Sequence, residues 1–304
     1  MTAPSFGPVI APVLTPFTAS GGVDAGRLVS HARWLMQNGC TSLAPFGTTS
    51  EGNSIGLSER KVLLISLLAA GIDPGHLMPG TGLCSIPDTV DLTRHAVDLG
   101  CGGVLMLPPF YYKGVSDEGL YAYVSQVIER VADTRLRIYL YHIPPVAQVG
   151  FSLPLIKRLR TAFPEIVVGL KDSSGDWAHT KSLIEALPGF AVYSGSEASL
   201  LANIRSGGAG CISASANVNA AMLRRIAETA TTPEADAIQA KATAIRKEIQ
   251  SNPMIPFLKA LMADASKDAG WRATRPPLEP MPAAAAAPAI ARLASEHAWK
   301  LSLA

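Results

Sequence analysis

The residue with the most chemical potential in this sequence is Lys171, which closes the apolar run IVVGLKD from Ile166. An amine desolvated at the end of a buried strand loses part of its preference for the charged form. The neutral amine attacks a ketone to form a Schiff base, and the iminium then withdraws electrons from the adjacent carbon. Two other stretches carry complementary groups. Tyr141, in RIYLYHIP, offers a phenol able to pass protons. The loop GTTSE, starting at Gly47, joins a glycine turn to the hydroxyls of Thr48 and Thr49 and to free backbone N–H groups, a set suited to a carboxylate. Each has a plainer reading. Lys171 pairs with Asp172 or lies along a rim, Tyr141 is a core aromatic, and GTTSE is an ordinary polar loop.

The elements that would position these groups follow a repeat. Short apolar runs begin at Val9, Ser42, His76, Gly102, Arg137, Ile166, Phe190 and Ala209. Runs recurring at roughly thirty-residue spacing match strand-plus-helix units of parallel α/β structure. Helical patterns lie between them. Asp24 caps a segment whose Leu28, Ala32 and Leu35 share a face and which Gly39 ends. Ser58 opens ERKVLLISLLAAG, Pro87 sits in the first turn of a third helix, and Ser116 caps a fourth.

These units predict a TIM (β/α)8 barrel over residues 1–222, with functional groups at the strand ends. No GxGxxG follows the first run, against a dinucleotide-binding doubly wound sheet. Residues 223–304 predict a helical C-terminal extension packed on the barrel, its last helix beginning near Pro288.

The bulk numbers exclude several classes. The chain is 304 residues long, 48% hydrophobic and 16% charged, with a net charge of +2 and no block of like charges. Nucleic acid and anionic membranes are not expected partners. No apolar run is long enough to span a bilayer, and Cys40, Cys84, Cys101 and Cys211 form no CxxC pair, so a cytoplasmic protein with reduced thiols is expected. His31, His76, His95, His142, His179 and His297 show no HxH or HExxH spacing. Most fall on predicted helices and read as solvated or capping groups, so neither a metal nor an organic cofactor is expected.

Six stretches in order, FGTTSEGNSIGLSER, PPFYYKGVSDEGLY, YHIPP, GLKDSSGD, YSGSE and GGAGCISASANV, resemble the dihydrodipicolinate synthase / N-acetylneuraminate lyase family. The resemblance runs from Val9 to about Leu278 and implies lysine Schiff-base chemistry on pyruvate or related 2-oxo acids. It implies Lys171 as the imine-forming residue, Tyr141 as general acid/base and Thr49 as the holder of the substrate carboxylate. Thr48 is implied as a hydroxyl linking Tyr141 to Tyr112, a relay tyrosine that reaches into a neighbouring subunit. A homo-oligomer, dimer or tetramer, is therefore expected. Gly195 and Ile212 match wall positions, and Glu197 is a candidate for binding substrate hydroxyls or for opening a helix.

Three departures matter. Val146 stands where the synthase branch carries an arginine for the partner aldehyde's carboxylate, no arginine lies between Tyr141 and Phe151, and no other group able to replace it is expected nearby. Ala214 stands where the sialic-acid branch has a serine. Ser50 and His142 replace a usual glycine and asparagine. The leading expectation is a lyase cleaving a 4-hydroxy-2-oxo acid or a 2-keto-3-deoxy sugar acid to pyruvate and an aldehyde. A sugar-acid dehydratase using the same imine comes next, then dihydrodipicolinate synthase, then a non-catalytic 2-oxo-acid binder.

Overall fold

The computed structural model describes residues 6–303. Its strands are β1 (Val9–Ala11), β2 (Ser42–Leu43), β3 (Val104–Met106), β4 (Ile138–His142), β5 (Val167–Asp172), β6 (Ala191–Ser194) and β7 (Gly210–Ile212). All pair in parallel, in the order β2-β1-β7-β6-β5-β4-β3. The two free edges are joined by residues 77–80, where Leu77 bridges Leu43 and Gly80 bridges Leu105. Met78 N–H donates to Leu43 O at 2.9 Å, and Leu105 N–H donates to Pro79 O at 2.9 Å. The ring is thus a (β/α)8 barrel, and every apolar run read from the sequence holds a barrel position. The third is a bridged segment rather than a regular strand, because Pro79 brings no N–H to the ladder. Gly80 also runs so close to the Phe46 carbonyl oxygen that a Cβ would lie 2.6 Å from it.

Strand alternation separates two packing layers. On β4, Ile138 and Leu140 face outward into the main core with Leu28, Leu35, Leu63, Val124 and Leu183 of the surrounding helices. Tyr139 and Tyr141 face inward, where they meet Ile10, Ala44, Met78, Leu105, Tyr193 and Ile212. Burying a Leu or Val in the outer layer contributes about 1.5–3 kcal/mol. Tyr139 fills the barrel floor because Gly169 faces it, and a Cβ there would sit 2.4 Å from the ring.

The helices follow the expected signals with local differences. Asp24 Oδ1 accepts from Arg27 N–H and caps Ala25–Gln37, and Ser116 caps Asp117–Val131. The second helix, Leu57–Ala69, is capped at Gly56 rather than opened at Ser58. Glu59 reaches back to the Gly56 N–H at 2.9 Å, and its charge suits the helix start.

Beyond β7 the chain is helical: Ala216–Glu228, Glu234–Gln250, Met254–Ser266 and Ala283–His297. The expected boundary at residue 222 falls inside the first of these. The last begins with its alanine run at Ala283, not near Pro288, since alanine has the strongest helix preference and the proline lies in the second turn. These helices bury Ile245, Ile249, Phe257, Leu261 and Leu293, with Trp271 of the 3-10 turn Ala269–Arg272, against Leu14 and Val218 in a second core. Among the described residues no helix is long and apolar enough to cross a membrane.

Candidate active site

Period two on β5 turns Leu170 outward and Lys171 into the barrel, where the side chain is buried. Lys171 pairs in register with Tyr141 of β4 and Tyr193 of β6, so its strand position lies between two inward tyrosines. Its Nζ lies 4.2 Å from the centroid of the Tyr141 ring. Among the described residues no carboxylate lies within ion-pair distance of it. Asp172 is not its partner, because alternation sends that side chain to the other face of the strand.

The Tyr141 hydroxyl lies 3.2 Å from Thr48 Oγ1. Thr48, Gly47 and Tyr141 line one small cleft together with Phe46, Asn53, Gly80, Gly82, Leu105 and Leu107. Thr49 is half-buried beside Thr48. The loop is a tight fold-back: Glu51 N–H donates to Thr48 O and Gly52 N–H to Gly47 O, both at 3.0 Å. Phe46 and Glu51 adopt left-handed φ values of 66° and 55°, which non-glycine residues rarely hold.

The remaining expected residues divide. Gly195 continues β6, donates its N–H to Asp172 O at 2.6 Å and packs against Ser173. A Cβ at this glycine would lie 2.1 Å from Ser173 Oγ. Ile212 ends β7, fully buried in the inward layer with Tyr141 and Tyr193. Glu197 is placed elsewhere. Its carboxylate is fully buried and accepts from Ser213 Oγ, Ser215 Oγ and Arg246 Nη1, which leaves it no direction toward substrate hydroxyls. It also opens a short 3-10 helix at Glu197–Ser199. Tyr112 is 73% exposed and meets Tyr111 edge to face, with centroids 5.3 Å apart, rather than Tyr141.

Several groups escape a sequence reading. Ser173 shares the inward side of its strand with Lys171, two residues on. Lys113 Nζ donates to the carbonyls of Phe110 and, at 2.8 Å, Ala147. A basic group therefore does stand beside Val146, contrary to expectation, though as an ammonium tied to two carbonyls it does not reproduce a bidentate guanidinium. The histidines also differ from expectation. His31 is buried, with Nε2 on Asn217 Oδ1 at 3.0 Å.

Behind Lys171 and Tyr141, on the outer face, Asp172 Oδ2 accepts from His179 Nδ1 at 3.0 Å and from Thr180 Oγ1 at 2.6 Å. His142 stacks on His179 with centroids 5.0 Å apart. Burial pushes Asp172 up, but the hydrogen bonds from Thr180, His179 and Ser174 outweigh it and hold the carboxyl below its usual range. Burial lowers His142, aided by His179 and opposed by Asp172.

His142, Asp172 and His179 bring donor atoms within 4.8 Å of one another, the spacing of a metal-ligand set. The proton positions speak against that use. Phe151 N–H donates to His142 Nδ1 at 3.0 Å, so the neutral ring carries its proton on Nε2 and presents no free lone pair. The cluster is a hydrogen-bonded brace.

The comparisons with known proteins agree with this fold. The model of the Dihydrodipicolinate synthetase family matches residues 5–294. An uncharacterised DapA-like lyase of Chloroflexus aurantiacus is 33% identical over 276 residues, 90% of this chain and 91% of that one. The crystal structure of dihydrodipicolinate synthase from Agrobacterium tumefaciens superposes with a TM-score of 0.87 at 35% identity, covering 94% of this chain and 98% of that one. That of YagE, a prophage protein of the dihydrodipicolinic acid synthase family from E. coli K12 in complex with pyruvate, gives 0.86 at 25% identity, over 95% and 97%. A match along almost the whole sequence, with a barrel whose inward lysine and tyrosine are in register, identifies the chain as a member of the dihydrodipicolinate synthetase family.

Proposed function

We propose that this chain is a lysine-imine lyase that cleaves a 4-hydroxy-2-oxo acid or a 2-keto-3-deoxy sugar acid to pyruvate and an aldehyde. The observation that carries the reading is the buried Lys171 amine over the Tyr141 ring, with the phenol hydroxyl 3.2 Å from Thr48 Oγ1. The substrate carboxylate docks on the Thr48–Thr49 turn. Lys171 Nζ attacks C2, and loss of the carbonyl oxygen as water leaves the iminium. Tyr141 takes the proton from the C4 hydroxyl, the C3–C4 bond breaks into the iminium, and an aldehyde leaves. The enamine is protonated at C3, and water releases pyruvate and regenerates the amine.

Dehydration of a sugar acid uses the same imine, with a proton leaving C3 and the C4 hydroxyl leaving as water. Dihydrodipicolinate synthesis is less favoured, since Val146 is 62% exposed at the mouth and the neighbouring Lys113 is committed to carbonyls. Tyr111, Tyr112, Val115 and Val146 together expose apolar surface near the mouth. That surface supports a homo-oligomer in which Tyr112 serves a neighbour's site. The four cysteines are free thiols, in keeping with the cytoplasm.

The test is reduction with borohydride in the presence of pyruvate, read by intact and peptide mass. A pyruvate adduct on the peptide holding Lys171, absent in Lys171→Ala, is expected. A folded protein that yields no adduct with pyruvate or longer 2-oxo acids would move the assignment to a non-catalytic binder.

A further inference from the structure

The loop that bears Thr48 and Thr49 is fixed from outside the barrel. Glu51 ends its turn in the left-handed conformation, and its side chain is fully buried. One carboxylate oxygen pairs with Lys259 Nζ, whose side chain is also 0% exposed. The other accepts from the backbone N–H of Arg275 at 3.1 Å.

Both partners belong to the C-terminal extension, more than two hundred residues along the chain. Lys259 projects from the Met254–Ser266 helix, donates to Ala273 O at 2.8 Å and lies 4.4 Å from the Phe17 ring centroid. The Arg275 guanidinium covers the same ring at 4.8 Å. It also bonds Ser54 O at 2.7 Å and Gly21 O at 2.8 Å and pairs with Glu59.

A buried ion pair is weak evidence for stability, since desolvating both charges offsets much of their attraction. Its use here is geometric. Glu51 N–H donates to Thr48 O, so the carboxylate held by Lys259 sets the carbonyl of the same residue whose hydroxyl meets Tyr141. The strained backbone at Glu51 persists only where its surroundings over-determine it, and Lys259 and Arg275 supply that constraint.

We infer that Lys259 and Glu51 are positioning residues for substrate binding: the extension holds the Thr48–Thr49 turn through this pair in the shape that receives a 2-oxo acid's carboxylate. The inference rests on the lyase reading for its ligand, but the anchoring itself does not. Removing the pair loosens the turn while leaving Lys171 and Tyr141 in place, because those stand on β4 and β5.

The experiment compares wild type with Lys259→Met and with the double variant E51Q/K259M, which leaves no charge unpaired should the single variant fail to fold. Borohydride trapping is titrated with pyruvate, and hydrogen exchange is followed at the amides of residues 47–52 and of β5. The expected result is a half-saturating pyruvate concentration raised by about tenfold or more, with wild-type trapping at saturation. Faster exchange at residues 47–52, with β5 unchanged, is expected alongside. A folded variant with wild-type half-saturation and wild-type loop exchange overturns the inference. Should wild type fail to trap pyruvate, the lyase reading falls, and loop exchange alone still decides whether the pair anchors the turn.

Discussion

Tyr141 has two neighbours that divide its chemistry, an amine over its ring and the Thr48 hydroxyl at its phenol. Removing only the hydroxyl, as Tyr141→Phe, leaves the lysine's surroundings intact. Borohydride trapping of pyruvate is expected to survive in this variant, while turnover falls by about 10²–10⁴. Trapping lost together with turnover would mean that the hydroxyl is already needed to form the imine, not only to move the proton in cleavage. Ser50, in the same turn, is fully buried, and its Oγ has no hydrogen-bond partner among the described residues. Ser50→Ala removes an unpaid desolvation cost and is expected to raise unfolding stability by about 1 kcal/mol in urea titrations. The positions of Lys171, Tyr141 and Thr48 were legible because strand alternation and a turn are local signals, whereas their roles rest on the family resemblance. The contacts of Glu197 and Lys113 were not legible, since Arg246 and the Ala147 carbonyl lie tens of residues away. No periodic pattern encodes such contacts.

At the scale of elements, the Ala216–Glu228 helix clamps the barrel's first strand. Asn217 Oδ1 accepts from Leu14 N–H at 2.9 Å and from His31 Nε2, while Nδ2 donates to Pro12 O and Ala214 O. Burial lowers His31 from its ordinary 6.5 to about 4, against the opposing hydrogen bond to Asn217. The unfolded chain therefore takes up a proton that the fold refuses within that window. The stabilisation is complete above pH 6.5 and is lost on acidification toward 4, by roughly 3 kcal/mol in all. Urea unfolding at pH 7 and pH 4.5 should show a smaller loss in His31→Gln than in wild type, and equal losses would refute this. The strands and most helices were readable because apolar runs and caps are local signals. The third barrel segment was readable in place but not in kind, as Pro79 occupies a strand position where it accepts from Leu105 but has no N–H to donate. His31 reads as a solvated helix residue because its partner sits 186 positions away.

At the scale of the whole molecule, the proposed service of Tyr112 to a neighbour's site is tested by mixing two variant chains. Co-expressing Tyr112→Phe with Lys171→Ala places a normal lysine and a partner's normal tyrosine in one site of each mixed dimer. Random pairing then restores about a quarter of wild-type activity from two impaired parents. No recovery in a confirmed mixed dimer would confine Tyr112 to its own subunit.

The pairing of β1 with β7 has a consequence for synthesis. Val9 and Ile10 register with Cys211 and Ile212, so the barrel's seam joins the first strand made to the last. A nascent chain still short of Gly210 carries two unpaired strand edges, one along β1 and one along β6, each a template for pairing with another chain. Until the ribosome has delivered the last strand, the polypeptide is exposed to self-association. Such unfinished copies open an aggregation route that the stability of finished ones does not close.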